Sequence, residues 1–201
     1  MRIGIDFDNT IACYDGVFHR AAVERGLIEE KLGTDKNTVR NYLREIGKED
    51  DWTELQGYVY GARMDLVAVY EGFLSFVKQA RQLDHDLVII SHKTRKPFMG
   101  PPYDLHDAAR SFLEAQNVVS PEHVPNVFFE LTLDEKVARI RSEGCDIFID
   151  DLPELLGHQQ FPRQVRGLLF DPADHFPGGV ANGVTYEVHP DWKSISQTLL
   201  G

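Results

Sequence analysis

Two aspartates one residue apart close the apolar opening of the chain, in Arg2-Ile3-Gly4-Ile5-Asp6-Phe7-Asp8-Asn9-Thr10. Alternate side chains of an extended strand point the same way, so Asp6 and Asp8 can share one pocket. Two bare carboxylates ~4 Å apart repel by about 4 kcal/mol at an effective dielectric of roughly 20. A cation, a shared proton or separation has to offset that repulsion. Taken alone, such a pair is ordinary at a strand-end turn or a helix cap. Three further features change its meaning. Leu87-Val88-Ile89-Ile90-Ser91 is an apolar run ending in a hydroxyl. Lys136 falls in the first turn of a helix opened by Thr132 and Glu135 at capping-box spacing, where an acid is the commoner charge. Ile147-Phe148-Ile149-Asp150-Asp151 is an apolar run ending in two acids.

The elements that must position these residues are legible as hydrophobic patterns. Strand-type runs are Ile3–Phe7, Leu87–Ile90, Val127–Glu130, Ile147–Ile149 and Gly167–Phe170, with a last piece at Val184–Val188. Between them lie amphipathic helices. Phe73, Phe76, Val77 and Ala80 share one face, Leu105, Ala109, Phe112 and Leu113 another, and Val137 and Ile140 a third. Trp192, Ile195 and Leu199 mark a terminal helix. Short buried strands alternating with helices predict an α/β fold, a Rossmann-like parallel sheet with helices on both faces. Ligands of such sheets bind outside the carboxyl ends of the strands, where all four polar features would converge.

Residues 15–69 break the pattern. They carry many charges and a helical stripe of Val39, Tyr42, Leu43 and Ile46, with no buried strand. The stretch is far longer than a crossover needs. The expected organisation is therefore an α/β core of residues 1–14 and 70–201, with residues 15–69 as a small α-helical cap insertion.

Composition narrows the partners. The chain has 201 residues, enough to bury a core without disulfides or structural metal. A net charge of −11 disfavours nucleic acid polymers and anionic membrane surfaces, while leaving a small phosphorylated metabolite possible. No apolar run approaches the ~20 residues of a membrane span, and no leader peptide is expected after Met1. Cys13 and Cys145 show no metal-type spacing. A reducing, cytoplasmic setting follows as the expectation.

In this order, the four features resemble the motifs of the haloacid dehalogenase-like hydrolase superfamily, most of whose members are phosphatases. Asp150-Asp151-Leu152-Pro153-Glu154 is similar to the ending seen in its deoxyribonucleotidase-like and sugar-phosphatase members. The insertion resembles that family's helical cap. The resemblance implies that Asp6 is a nucleophile forming an aspartyl-phosphate, and that Asp8 protonates the leaving alcohol and then activates water. It implies that Ser91 and Lys136 hold phosphoryl oxygens. It further implies Mg²⁺ held by Asp6, the backbone carbonyl of Asp8, and Asp150 and Asp151, without saying which of the last two touches the metal. Asp8 favours phosphoester chemistry, since the dehalogenase and phosphonate branches usually lack that second aspartate. A phosphotransferase on the same core and a non-catalytic binding relative are the alternatives.

Substrate choice has fewer signals. The basic loop His92-Lys93-Thr94-Arg95-Lys96 could bind a second anionic group, or could balance nearby acids. Tyr58, Tyr60 and Arg63, around Gly57 and Gly61, could touch a leaving group or simply pack helices. His92, Lys93, Arg95, Tyr60 and Arg63 are the candidate specificity residues, for a sugar phosphate or a nucleotide.

Overall fold

The computed structural model of the chain describes residues 1–181 and 183–201. They divide into two compact units: residues 1–12, 69–93 and 116–201, and residues 13–68 and 94–115.

The first unit is built on six strands: β1 (Arg2–Ile5), β2 (Asp86–His92), β3 (Asn126–Glu130), β4 (Ile147–Asp150), β5 (Arg166–Phe170) and β6 (Glu187–His189). They form one sheet in the order β6-β5-β4-β1-β2-β3, and every pairing is parallel. Helices cover both faces, giving a Rossmann-like α/β architecture. The chain runs outward from β1 through β2 to β3, then returns to place β4 on the other side of β1. That reversal makes the carboxyl ends of β1, β2 and β4 a topological switch point, where open α/β sheets bind ligands.

Register assigns each side chain to a face. Gly4 lies abreast of Val88 on one side and Phe148 on the other. Val88, Ile90 and Phe148 form a core with Val137 and Ile140 of a helix at Leu133–Ser142. Gly4 must be bare there: a Cβ would stand 2.5 Å from a Phe148 ring carbon and 2.9 Å from Cys145 Sγ. Gly4→Ala is therefore expected to cost about 1–3 kcal/mol, the range for overpacking a core, as read from urea unfolding. Ile5, Ile149 and Leu168 lie in one row on the opposite face. Phe170, on that same face by strand alternation, meets Trp192, with ring centroids 5.6 Å apart. Phe73 and Phe76 approach the same indole at 4.8 and 4.9 Å.

The second unit holds helices α1 (Val17–Glu24), α2 (Lys36–Glu45) and α3 (Glu49–Ala62). Helix α4 (Phe73–Gln82) returns to the first unit, and α5 (Leu105–Ala115) belongs to the second. The first unit is completed by α6 (Leu133–Ser142), α7 (Pro153–Leu156) and α8 (Trp192–Leu200). Residues 94–115 thus group with the helical segment rather than with the sheet, where their sequence pattern had put them. The apolar face of α5 reads the same whether it meets a strand or a helix. Glycines on α3 allow the close approach: a Cβ on Gly57 would sit 2.6 Å from Pro97, and one on Gly61 2.4 Å from Tyr103.

The run Val184–Val188, expected as one strand, is two. Val184–Thr185 pairs antiparallel with Val180–Ala181, while Glu187–His189 joins the main sheet beside β5. Among the described residues, no helix is long and apolar enough to cross a membrane.

Candidate active site

Strand alternation brings the key carboxylates to one face. Asp6 follows Gly4 in the same row, and Asp150 follows Phe148. Both rows face α6. The Asp6 amide donates to the Ile149 carbonyl at 2.9 Å, so β1 and β4 stay paired up to the acids themselves.

Helix α6 delivers the cation. Thr132 caps it: its hydroxyl accepts from the Glu135 amide at 3.2 Å, and the Glu135 carboxylate accepts from the Thr132 amide at 3.0 Å. This reciprocal cap sets where the helix starts, and so where its first turn aims Lys136. Lys136 Nζ donates to Asp6 Oδ1 at 2.5 Å and to Asp150 Oδ2 at 2.6 Å, and lies 5.5 Å from the centroid of the Phe148 ring. Lys136 is 2% exposed, Asp6 5% and Asp150 0%. Bulk water therefore screens little of this cluster.

Asp151 completes the group. One carboxylate oxygen each from Asp6, Asp150 and Asp151 lie within 4.8 Å of one another. The Asp150 side chain also accepts from the Leu152 amide at 2.9 Å. Asn9, in the left-handed backbone region at φ 57°, donates its side-chain amide to Asp151 at 3.2 Å. Asparagine tolerates that conformation better than most residues, which lets the chain turn directly after Asp8.

Electrostatics show an excess of negative charge. Burial raises the Asp6 carboxyl; Lys136 pulls it back, Asp150 and Asp8 push it further, and it comes to about 7. Burial also raises Asp150 against the pull of Lys136. Burial and then the Asp150 and Asp6 charges hold Asp151 well above the ordinary carboxylate range. Burial opposes the Lys136 charge, but Asp150 and Asp6 outweigh it and keep the ammonium protonated above the usual lysine value. Three carboxylates face one ammonium, so their full ionisation would leave two negative charges unmatched among oxygen donors, two of them buried and Asp151 partly buried. That donor set fits a hard divalent cation such as Mg²⁺, with Asp6, Asp150 and Asp151 as the residues that would hold it.

The other expected residues fall into two groups. Ser91 is 1% exposed at the end of β2. The register that pairs Ile5 with Ile89 continues to bring it abreast of Phe7, at the same end of the sheet. Asp8 lies in the turn after β1, where Lys93 Nζ donates to its two oxygens at 2.8 and 3.0 Å. Lys93 thus lies inside the site, 5% exposed, paired with an acid. The side chains of His92, Arg95, Tyr60 and Arg63 are engaged within their own units. His92 Nε2 is 3.1 Å from the Leu131 carbonyl, and Arg95 pairs with Asp104 at 2.9 Å. Arg63 bridges Glu24 and Asp65. Tyr60 accepts from Lys36 at 2.9 Å and packs against Tyr14 and Phe18. Asn9 and the inward turn of Lys93 were not anticipated. The signals were a left-handed-tolerant residue after Asp8, and the two-residue spacing from Ser91 to Lys93 along an extended chain.

No protein-family model matches the chain, and no curated protein matches it. Solved structures do match. A predicted phosphatase from Clostridium acetobutylicum superposes with a TM-score of 0.60 at 14% identity, covering 99% of this chain and 97% of that one. A HAD-superfamily hydrolase, subfamily IA, variant 1, from Geobacter sulfurreducens PCA gives 0.58 at 10% identity, covering 100% and 96%. The D,D-heptose 1,7-bisphosphate phosphatase of Burkholderia thailandensis gives 0.51 at 11% identity, covering 100% and 98%. These identities are too low to carry an activity across, but the alignments span nearly the whole of each chain. The chain therefore has the haloacid dehalogenase-like hydrolase fold.

Proposed function

We propose that the protein is a Mg²⁺-dependent phosphatase that hydrolyses a small-molecule phosphomonoester through an aspartyl-phosphate on Asp6. The observation that carries this reading is the buried Asp6–Lys136–Asp150 cluster at the switch point of a hydrolase fold, with Asp151 beside it. The phosphatases among the structural neighbours support the reaction class.

Each residue has a distinct task. Asp6 attacks phosphorus, and the bond to the ester oxygen breaks. Asp8 gives that oxygen its proton, then takes one from the water that releases inorganic phosphate and restores the Asp6 carboxylate. Lys136 and Ser91 hold the non-bridging phosphoryl oxygens, the first by charge and the second by hydrogen bond. Mg²⁺, held by Asp6, Asp150, Asp151 and the backbone carbonyl of Asp8, would neutralise the gathered negative charge as a dianionic ester approaches. The net charge of −11 favours a small metabolite over a polyanion. Sugar phosphates and nucleotides are the classes to try first. Cys13 and Cys145 are not joined in a disulfide, which suits a reducing, cytoplasmic setting.

The test is a panel of sugar phosphates, nucleotides and other small organic phosphates, assayed for phosphate release with Mg²⁺ and with chelator. Turnover of at least one ester with Mg²⁺, abolished by chelator, is expected. No turnover across the panel with Mg²⁺ present would falsify the proposal.

A further inference from the structure

Lys93 stands one residue past β2, and its amide extends the ladder by donating to the Glu130 carbonyl at 2.8 Å. Its side chain turns inward. Nζ reaches both oxygens of Asp8 at 2.8 and 3.0 Å and lies 5.3 Å from the centroid of the Phe7 ring. Lysine is seldom buried without a partner, and this one is 5% exposed. The Asp8 side chain is only 22% exposed, so the ion pair is largely removed from solvent. A two-point contact restrains rotation of the carboxylate in a way one hydrogen bond does not.

We propose that Lys93 is a positioning residue for Asp8, holding its carboxylate in the orientation from which it takes a proton from the hydrolytic water. The inference rests on the phosphatase reading above. In the step concerned, the water oxygen bonds to phosphorus and the bond from phosphorus to Asp6 Oδ breaks. Asp6 leaves as a carboxylate, the water proton passes to Asp8, and inorganic phosphate is released. In this role Lys93 acts through Asp8 and not on the reacting atoms. This differs from the role the basic loop suggests, in which Lys93 would bind a second anionic group of the substrate.

The test uses p-nitrophenyl phosphate, whose leaving group departs without a proton and so exposes the second step. Lys93→Met should lower kcat by about 10²-fold, the lower end of what a positioned proton-transfer group contributes, with KM little changed. Phosphoenzyme should accumulate in acid-quenched samples of this variant. In an Asp8→Asn background the same substitution should cost less than about twofold more, because a residue acting through Asp8 has nothing left to position. Lys93→Arg, which keeps the charge, should recover part of the loss. Equal losses in both backgrounds, or a raised KM at unchanged kcat, would overturn the assignment. Should Lys93→Met not fold, Lys93→Gln takes its place in the same cycle. Wild-type protein that hydrolyses no ester removes the phosphatase reading itself, and this assignment with it. An active wild type with an additive cycle removes only the role of Lys93.

Discussion

Asp6→Asn should reduce phosphate release by on the order of 10⁴-fold or more, the scale of losing a covalent nucleophile. The change is close to isosteric, so the loss would be chemical rather than structural. On the proposed mechanism an amide in place of the carboxylate removes the attacking oxygen's charge; it also leaves Lys136 with Asp150 as its remaining acid partner at hydrogen-bond distance. Burial and neighbouring acids raise the Asp6 carboxyl to about 7, so the neutral side chain should lower the electrostatic cost of folding without metal. The variant is accordingly expected to fold at least as stably as wild type in chelator, while losing turnover. Thermal unfolding and phosphate release measured on the same sample check both halves.

Lys136→Met should have the largest effect on stability. It leaves Asp6, Asp150 and Asp151 gathered in a buried site with their shared cation gone. Breaking one side of a buried ion pair costs about 3–5 kcal/mol. For a chain of this size that is a fall of roughly 10 °C in the unfolding midpoint. The sign of the pH dependence follows from the Asp6 carboxyl, which rises from 3.8 to about 7 in the folded protein. A folded state that binds more protons than the unfolded one loses stability as pH rises. The metal-free wild type should therefore lose stability from the mildly acid range up through neutral pH. Lys136→Met should lose more over the same range, because the ammonium no longer counters the forming carboxylates. Mg²⁺ should raise the wild-type midpoint more at about pH 7.5 than at about pH 5, since cation binding needs the carboxylates deprotonated. A midpoint indifferent to Mg²⁺ at every pH would remove the metal from the account.

Much of the core was legible because its physics is local. Apolar runs at Ile3, Leu87, Ile147 and Gly167 could only be buried strands once helices separated them, and each ended where its polar residue began. The capping box at Thr132 located the start of α6 and hence the turn that carries Lys136. What local pattern does not encode is which neighbour an amphipathic helix will choose. Leu105, Ala109, Phe112 and Leu113 would suit a sheet, yet α5 lies with α3, where Gly57 and Gly61 let Pro97 and Tyr103 approach. Val184–Val188 has the residues of one strand but changes partner within them. The basic loop after Ser91 could serve a second anionic group or balance nearby acids, and its pattern does not say which acids; in the fold Lys93 turns inward to Asp8, and Arg95 pairs with Asp104. Charge counted along a sequence does not show which acids a fold will bring to meet it.

The most direct test of the central claim is to find the phosphorylated atom. Wild-type protein, Mg²⁺ and a turning-over phosphomonoester are mixed, quenched in acid within the first turnover, digested and mapped by mass spectrometry. The account predicts a phosphoryl adduct on the peptide containing Asp6, acid-stable but labile to base and hydroxylamine as an acyl phosphate is, and absent without Mg²⁺. Steady turnover with no adduct at any quench time, or an adduct on another residue, would contradict it.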